Sequence, residues 1–392
     1  MQDNLWVNTT SSSVSDALTA LISQDIAQQG GWLPFDAFMQ AALYAPGLGY
    51  YAGGLQKFGQ MPHSGTSQGS DFVTAPELSP LFGQCLADQA AQVLQATGTQ
   101  HIYEFGAGSG ALALHICEHL AHINQGLEQY FIIEISAELR ARQQETLKHL
   151  GDKIVWLDAL PEHMQGVILG NEVLDAMPVK LLQRTAGVWH ERGIARASES
   201  DAGGALQPER PFVWQDHATD LRPPFEIASS HDYLTEIHPQ SEAFLRTLAE
   251  RLTLGAAFFI DYGFPEAEYY HPQRFMGTLM CHYLHQADPD PLERIGLKDI
   301  TAHVNFTSAA LAAQDAGLDV MGYVTQGRFL LNCGLLSKTE HLPLISRGVV
   351  AKLINEHEMG ELFKVLAFGK NLDQGLDLEL IGFTQGDRSH TL

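Results

Sequence analysis

HIYEFGAGSG, residues 101–110, is the stretch that decides the fold. A short apolar strand carries Glu104 near its end and runs into glycines at alternate positions, Gly106, Gly108 and Gly110. The alanine- and leucine-rich ALALHICEHLAHI follows, with the composition of a helix. Strand, tight glycine turn and helix form the opening unit of a nucleotide-binding α/β sheet. Glycine supplies the positive φ that such a turn needs, and its missing side chain lets a ligand approach the backbone. The helix start adds unpaired N–H groups and partial positive charge.

Outward from this turn, strand and helix alternate. Strands are expected at 101–105, 130–134 (YFIIE), 153–157 (KIVWL), 167–170 (VILG) and 256–260 (AAFFI). Each is short and apolar, as strands buried on both faces of a parallel sheet should be. Between the last two the rhythm breaks: LLQRTAGVWHERG and PFVWQD read as exposed antiparallel strands around the low-complexity loop ARASESDAGGALQPERP. This marks an insertion over about residues 181–240. The stretch 264–308, rich in Pro, His and Asp, reads as a structured loop region near the site. A helix at 308–316 and strands near 319–331 and 363–368 complete the chain.

The front, residues 1–98, reads as a helical and loop lobe with no sheet pattern of its own, and 99–392 as the α/β domain. Residues 1–15 are polar and expected to fray. Residues 16–44 place Leu18, Leu21, Ile22, Phe35, Phe38, Met39 and Leu43 at helical spacing. GQMPHSGTSQGSD is a polar loop, and Thr74 with Glu77 three residues on has the form of a capping box. Tyr44, Tyr50 and Tyr51 belong either to the core of this lobe or to a cleft.

The 392 residues are 45% hydrophobic, enough for a substantial core, and carry a formal net charge of −23. That field repels a phosphate backbone and argues against nucleic acid as a partner. The four cysteines are far apart in sequence, which gives no CxxC metal or redox pair. MQDNLWVNTTSSSVSDAL has neither the basic start and apolar run of a secretory signal nor the Arg-rich pattern of a transit peptide. No apolar segment approaches the ~20 residues that span a bilayer. The expectation is a cytoplasmic protein with no membrane partner.

GAGSGA also fits the dinucleotide pattern, so an NAD-dependent oxidoreductase is a rival reading. Glu104, two residues before the first glycine, weighs against it. A carboxylate there faces a pyrophosphate unfavourably and suits a ligand carrying an ammonium group and a sulfonium. Glu134, at the end of the next strand, can accept hydrogen bonds from both ribose hydroxyls of an adenosine nucleoside. VILGNEVLDAMPV then sets Asn171, Glu172 and Asp175 just after the fourth strand, at the carboxyl edge where ligands bind. HICEH at 115–119 has the form of an inverted zinc-protease pattern. Its His115, Glu118 and His119 share a stripe with His122 that is most simply the solvated face of the helix. No metal is expected.

EFGAGSGALA, FIIEISAELRARQ, LGNEVLDAMPV, IDYGFP and GTLMCHYLH followed by DITAHVNF occur in the order found in the MidA-like methyltransferases. That family includes the mitochondrial complex I assembly-factor arginine methyltransferase. FMQAALYAPGLGYY and SDFVTAPELSPLFG match it too, so the resemblance spans nearly the whole chain. It implies a Rossmann-like class I methyltransferase fold: a seven-stranded, mostly parallel sheet, its last strand antiparallel, plus the helical lobe and the inserted β-rich segment. It further implies S-adenosyl-L-methionine as cofactor, with Gly106, Ala107, Gly108 and Gly110 around its methionine end. Glu134 is then expected on the ribose and Asp158 at the adenine amino group. Glu104 and Asn171 join the cofactor set, Asn171 fixing the methionine part or the acceptor.

The implied reaction is N-methylation of arginine on a protein, such as a respiratory-chain subunit. A guanidinium stays protonated at neutral pH. Paired carboxylates hold it bidentately and take its proton as transfer proceeds. Glu172 and Asp175 are the candidates, with Asp261 third and His285 as a positioning group. Met280 stands where many members carry a basic residue, and the insertion at 194–210 is individual to this chain. A second functional reading is an assembly or scaffold protein with a structural nucleotide site. The inserted strands leave room for a homodimer.

Overall fold

The HIYEF strand lies in the interior of a mixed sheet, with the glycine turn at its carboxyl end. The structure, a computed structural model, describes residues 3–53, 74–198, 210–283, 286–372 and 378–392. It divides the chain into two units. One comprises 1–57, 176–241 and 267–303, the other 58–175, 242–266 and 304–392.

The second unit is built on an eight-stranded sheet. Across it run Asp319–Thr325, Phe363–Lys370, Leu252–Phe264, Met164–Asn171, His101–Phe105, Gln129–Ile133 and Ile154–Leu157. The five strands from Leu252–Phe264 to Ile154–Leu157 pair in parallel. Phe363–Lys370 is antiparallel to both its neighbours. Val304–Asn305 adds a short parallel strand against Gly263 and Phe264. The expected seven strands are thus eight, in a mixed sheet, because the chain pairs once more before its next helix. The strand order reverses between His101–Phe105 and Met164–Asn171, and ligands of open α/β sheets bind outside the carboxyl ends of such strands.

The helix Pro80–Thr97 belongs to this unit and not to a front lobe ending at 98. Its buried face, including Leu86, Ala87, Ala90, Val93 and Leu94, joins the same core as Ile102, Val167 and Leu169 of the sheet. Proline sits in its first turn, the Ser79 hydroxyl accepts from Leu81 N at 3.2 Å, and left-handed Gly98 ends it. It packs closely on the helix Ala111–His122 at Gly83. A Cβ there would lie 2.6 Å from the Cβ of His115. His119 is paired with Asp88 at 2.7 Å. The histidines of HICEH are therefore half-buried against a neighbouring helix, while Glu118 and His122 are exposed. The expected solvated stripe holds for only part of its length.

Two local expectations change. The stretch 319–331 is strand only to Thr325, whose hydroxyl caps the helix Gln326–Asn332 by accepting from Arg328 N at 3.3 Å. A short apolar run such as FLL does not by itself separate strand from buried helix. Thr74 makes no side-chain cap for the short helix Ala75–Leu78, and the Glu77 carboxylate instead accepts from the hydroxyl of Ser109.

The first unit packs the helices Asp3–Gln28 and Phe35–Tyr44 with an antiparallel sheet, so the leader expected to fray is helical from Asp3. Lys180–Thr185 and Val188–Arg196 form a hairpin, flanked by Tyr233–Ile237 and Phe212–Ala218. Leu33–Pro34 pairs with Ile194 and Gly193, which gives the front of the chain a strand after all. Leu18, Ile22, Phe35, Phe38, Leu181, Ile194, Phe212 and Ile300 share one core. Three segments distant in sequence therefore make one body, where the sequence suggested a lobe, an insertion and a loop region. Tyr50 is buried; the hydroxyl of Tyr51 donates to Asp299 and that of Tyr44 to Ala176 O, each at 2.8 Å. In the same unit the buried Glu236 accepts from Thr278 N, Leu279 N and the Tyr269 hydroxyl. The polar loop at 59–71 and most of the loop at 195–211 lie outside the described residues.

Gly83→Ala should drive the two helices apart and cost about 1–3 kcal/mol, as overpacking of a dense core does. Thermal melting reads this as a drop of several degrees; an unchanged melting temperature would mean that the helices do not meet so closely.

Candidate active site

The turn after HIYEF is left-handed at all three expected glycines, with φ of 61° at Gly106, 53° at Gly108 and 87° at Gly110. Side chains other than glycine are strained there. Gly106 N donates to Ile133 O at 3.1 Å, which ties the turn to the neighbouring strand. A Cβ built on Gly108 meets nothing within 4 Å, so the backbone there borders open space. Ala107, between the first two glycines, is buried.

Gln143, on the helix Ala137–Leu147, organises the surroundings of this turn. Its buried carboxamide donates to Gly108 O at 3.1 Å and to Glu134 Oε2 at 2.9 Å, and accepts from Trp156 Nε1 at 3.0 Å. Glu134 Oε1 accepts from Ser136 N at 2.8 Å. The Ile135 backbone N–H bonds to the carboxylate as well. A carboxylate has about four acceptor positions, so capacity for a further hydroxyl donor remains. Burial raises the pKa of Glu134, and the bonds from Ser136 and Gln143 oppose that rise. The exposed Ile135 beside it offers an apolar surface. Sequence reading missed Gln143 because a glutamine at mid-helix carries no signal without its neighbours.

Glu104 departs from expectation. Its side chain is 2% exposed and its Oε2 accepts from the Tyr130 hydroxyl at 2.8 Å. Burial, with a smaller contribution from Glu134, pushes its pKa up to about 8, against the lowering effect of the Tyr130 bond. The carboxyl is buried in the sheet unit against Tyr130.

The segment after Met164–Asn171 gathers acidic groups. Glu172 takes a left-handed conformation, φ 54°, fixed by its N–H to Ile260 O at 2.9 Å. Asn171 Nδ2 donates to Glu172 Oε1 at 3.1 Å, while Asn171 Oδ1 is buried without a hydrogen-bond partner among the described residues. Asp175 is buried and accepts from the Tyr262 hydroxyl. Asp261 Oδ2 accepts from Val173 N, Leu174 N and Asp175 N at 3.0–3.2 Å, and its Oδ1 from Tyr262 N at 2.9 Å. Burial and the nearby Asp175 and Glu172 push its pKa well up, opposed by those N–H donors. With its oxygens occupied, Asp261 is the anchor of the loop that carries Glu172 and Asp175.

The remaining candidates are scattered. Asp158 is 85% exposed and paired with Arg140 at 2.5 Å. His285 lies outside the described residues. Among the described residues no group of three or more His, Cys, Asp and Glu is placed to hold a metal ion.

The groups around the turn fit an adenosyl sulfonium. Open space borders Gly108, an oriented carboxylate at Glu134 retains acceptor capacity for a ribose, and Asn171 keeps an orphaned acceptor. A nucleoside-binding α/β enzyme is the class that this turn and carboxylate define.

Known proteins narrow the class. Residues 85–324 match the family model described as "Putative S-adenosyl-L-methionine-dependent methyltransferase". A Burkholderia thailandensis protein bound to S-adenosyl-homocysteine is 48% identical, with a TM-score of 0.88 and 98% of each chain covered. The zebrafish protein arginine methyltransferase NDUFAF7, mitochondrial, is 25% identical over 98% of this chain and 97% of its own. Its human counterpart is 26% identical over 84% of this chain and 78% of its own. The chain belongs to this family and is an S-adenosyl-L-methionine-dependent methyltransferase. The expected cytoplasmic location is overturned, because these curated relatives are named as mitochondrial. A leader without a transit pattern was too weak a ground for a compartment.

Two outcomes follow from this geometry. Gln143→Leu removes the bonds that hold Glu134 and the turn, and calorimetry should find S-adenosyl-homocysteine affinity reduced ~10–100-fold, the worth of a hydrogen bond to a charged group. Glu104 binds its proton more tightly folded than unfolded. The stability this gives is complete below pH about 4.5 and is lost as pH rises through about 8. The melting temperature of the wild type should therefore fall relative to Glu104→Gln between those pH values. A constant difference would mean that Glu104 titrates normally.

Proposed function

We propose that this methyltransferase N-methylates arginine side chains of a protein substrate. The carrying observation is the Asn171–Asp175 segment, which carries Glu172 and Asp175 and is tied to Asp261 through the N–H groups of Val173, Leu174 and Asp175. The names of the curated relatives, protein arginine methyltransferases, support the same reading.

S-adenosylmethionine brings a methyl group already activated on a positively charged sulfur. The protein's task is to orient an acceptor nitrogen within ~3–3.5 Å of that carbon, in line with the breaking bond, and to exclude water. In this reading Gly106, Ala107, Gly108 and Gly110 border the methionine end and Glu134 takes the ribose hydroxyls. Asn171 Oδ1 accepts from the amino acid part or the acceptor. Glu172 and Asp175 hold the guanidinium through paired charge-assisted bonds and orient its nitrogen lone pair. Glu172 takes the proton that leaves as the N–C bond forms. Asp261 acts through the loop. Asp158, exposed and paired with Arg140 through one oxygen, is read as the partner of the adenine amino group.

The sheet is read as the class I methyltransferase arrangement. His285 is read as a positioning group for the acceptor. The acceptor class extends to subunits of a respiratory complex, as the family resemblance suggests.

Glu172→Gln should keep S-adenosyl-homocysteine affinity and lower kcat ~10²–10⁴-fold, the usual share of general acid–base catalysis. Intact transfer in this variant would move the base elsewhere. Incubation with methyl-labelled cofactor and cell extract should place the label on arginine; label on another residue type overturns the acceptor assignment.

A further inference from the structure

We infer that Glu77 binds the α-ammonium of S-adenosylmethionine and so selects cofactors that carry the amino acid end; this rests on the placement of the nucleoside at Glu134 proposed above. Glu77 lies on the short helix Ala75–Leu78, anchored by the buried Ala75 and Pro76. Its side chain is not spent on capping that helix. It reaches the glycine turn instead, where Ser109, between Gly108 and Gly110, donates its hydroxyl to Glu77 Oε1. The same hydroxyl accepts from Ala111 N at 3.3 Å, the first residue of the helix after the turn. Ser109 thus fastens the carboxylate to the turn on which the methionine end is placed.

The ligand carries a positive ammonium group at that end and needs an anionic partner. Glu104 is poorly suited. It is buried against Tyr130, and at neutral pH a carboxyl with a pKa of about 8 is mostly uncharged. Glu77 is half-exposed, and Ser109 takes one of the roughly four acceptor positions of its carboxylate. An ammonium–carboxylate bond there would be charge-assisted, and such bonds are about twice as strong as neutral ones.

The test uses two ligands that share the adenosine thioether and differ in the amino acid end: S-adenosyl-homocysteine and 5′-methylthioadenosine. Calorimetry on the full chain should show Glu77→Gln weakening S-adenosyl-homocysteine ~10–100-fold and leaving 5′-methylthioadenosine unchanged. Ser109→Ala should show the same selectivity with a smaller loss. Equal weakening of both ligands would make Glu77 a mere prop of the turn, and no weakening of either would remove it from the site; each result overturns the inference. Glu134→Ala is the control for the underlying reading and should weaken both ligands. If it weakens neither, the nucleoside placement fails, whatever Glu77 does.

Discussion

The carboxamide of Gln143 is the bond-maker on which the site depends. It joins a carbonyl of the glycine turn, the carboxylate after the second strand and the indole of Trp156. These groups lie on three separate stretches of chain, and one buried side chain sets their spacing. The amide suits the task because it donates twice and accepts from a third partner. A charged group in its place would need a counter-charge, and an apolar one would leave buried polar atoms unpaired. The left-handed glycines give the turn its shape; Gln143 holds that shape against Glu134.

Asp261 plays the corresponding part on the far side of the strand-order reversal. Its carboxylate accepts three N–H groups of the loop, from Val173, Leu174 and Asp175, and so ties the loop to the neighbouring strand. It also gathers like charges, since Asp175 and Glu172 lie near enough to raise its pKa.

The glycine turn and the strands of the sheet were legible in the sequence because the signals are local. Alternating glycines demand a left-handed turn, and short apolar runs at regular intervals demand a buried sheet. The extra strand at Val304–Asn305, the helix at Gln326–Asn332 and the pairing of Leu33–Pro34 were not legible, since each depends on partners far away in sequence. The acidic site residues were visible by type, but orientation was not. Glu104 and Glu134 both follow the pattern of strand-end carboxylates, yet Tyr130 holds one inward and Ser136 with Gln143 directs the other. Glu77 read as a cap and is bound to Ser109.

The unit assembled from 1–57, 176–241 and 267–303 has a consequence for biosynthesis. Phe35 and Phe38 emerge from the ribosome long before Leu181, Ile194 and Ile300, with which they share a core. Until then the apolar faces of the first helices have only each other as native cover, and exposed apolar surface of this kind is what chaperones hold and what aggregation consumes. The sheet unit waits as well, because Phe363–Lys370 must enter between two strands already synthesised. Neither half matures as the chain is extruded, and a ribosome that stalls before residue 300 leaves both incomplete.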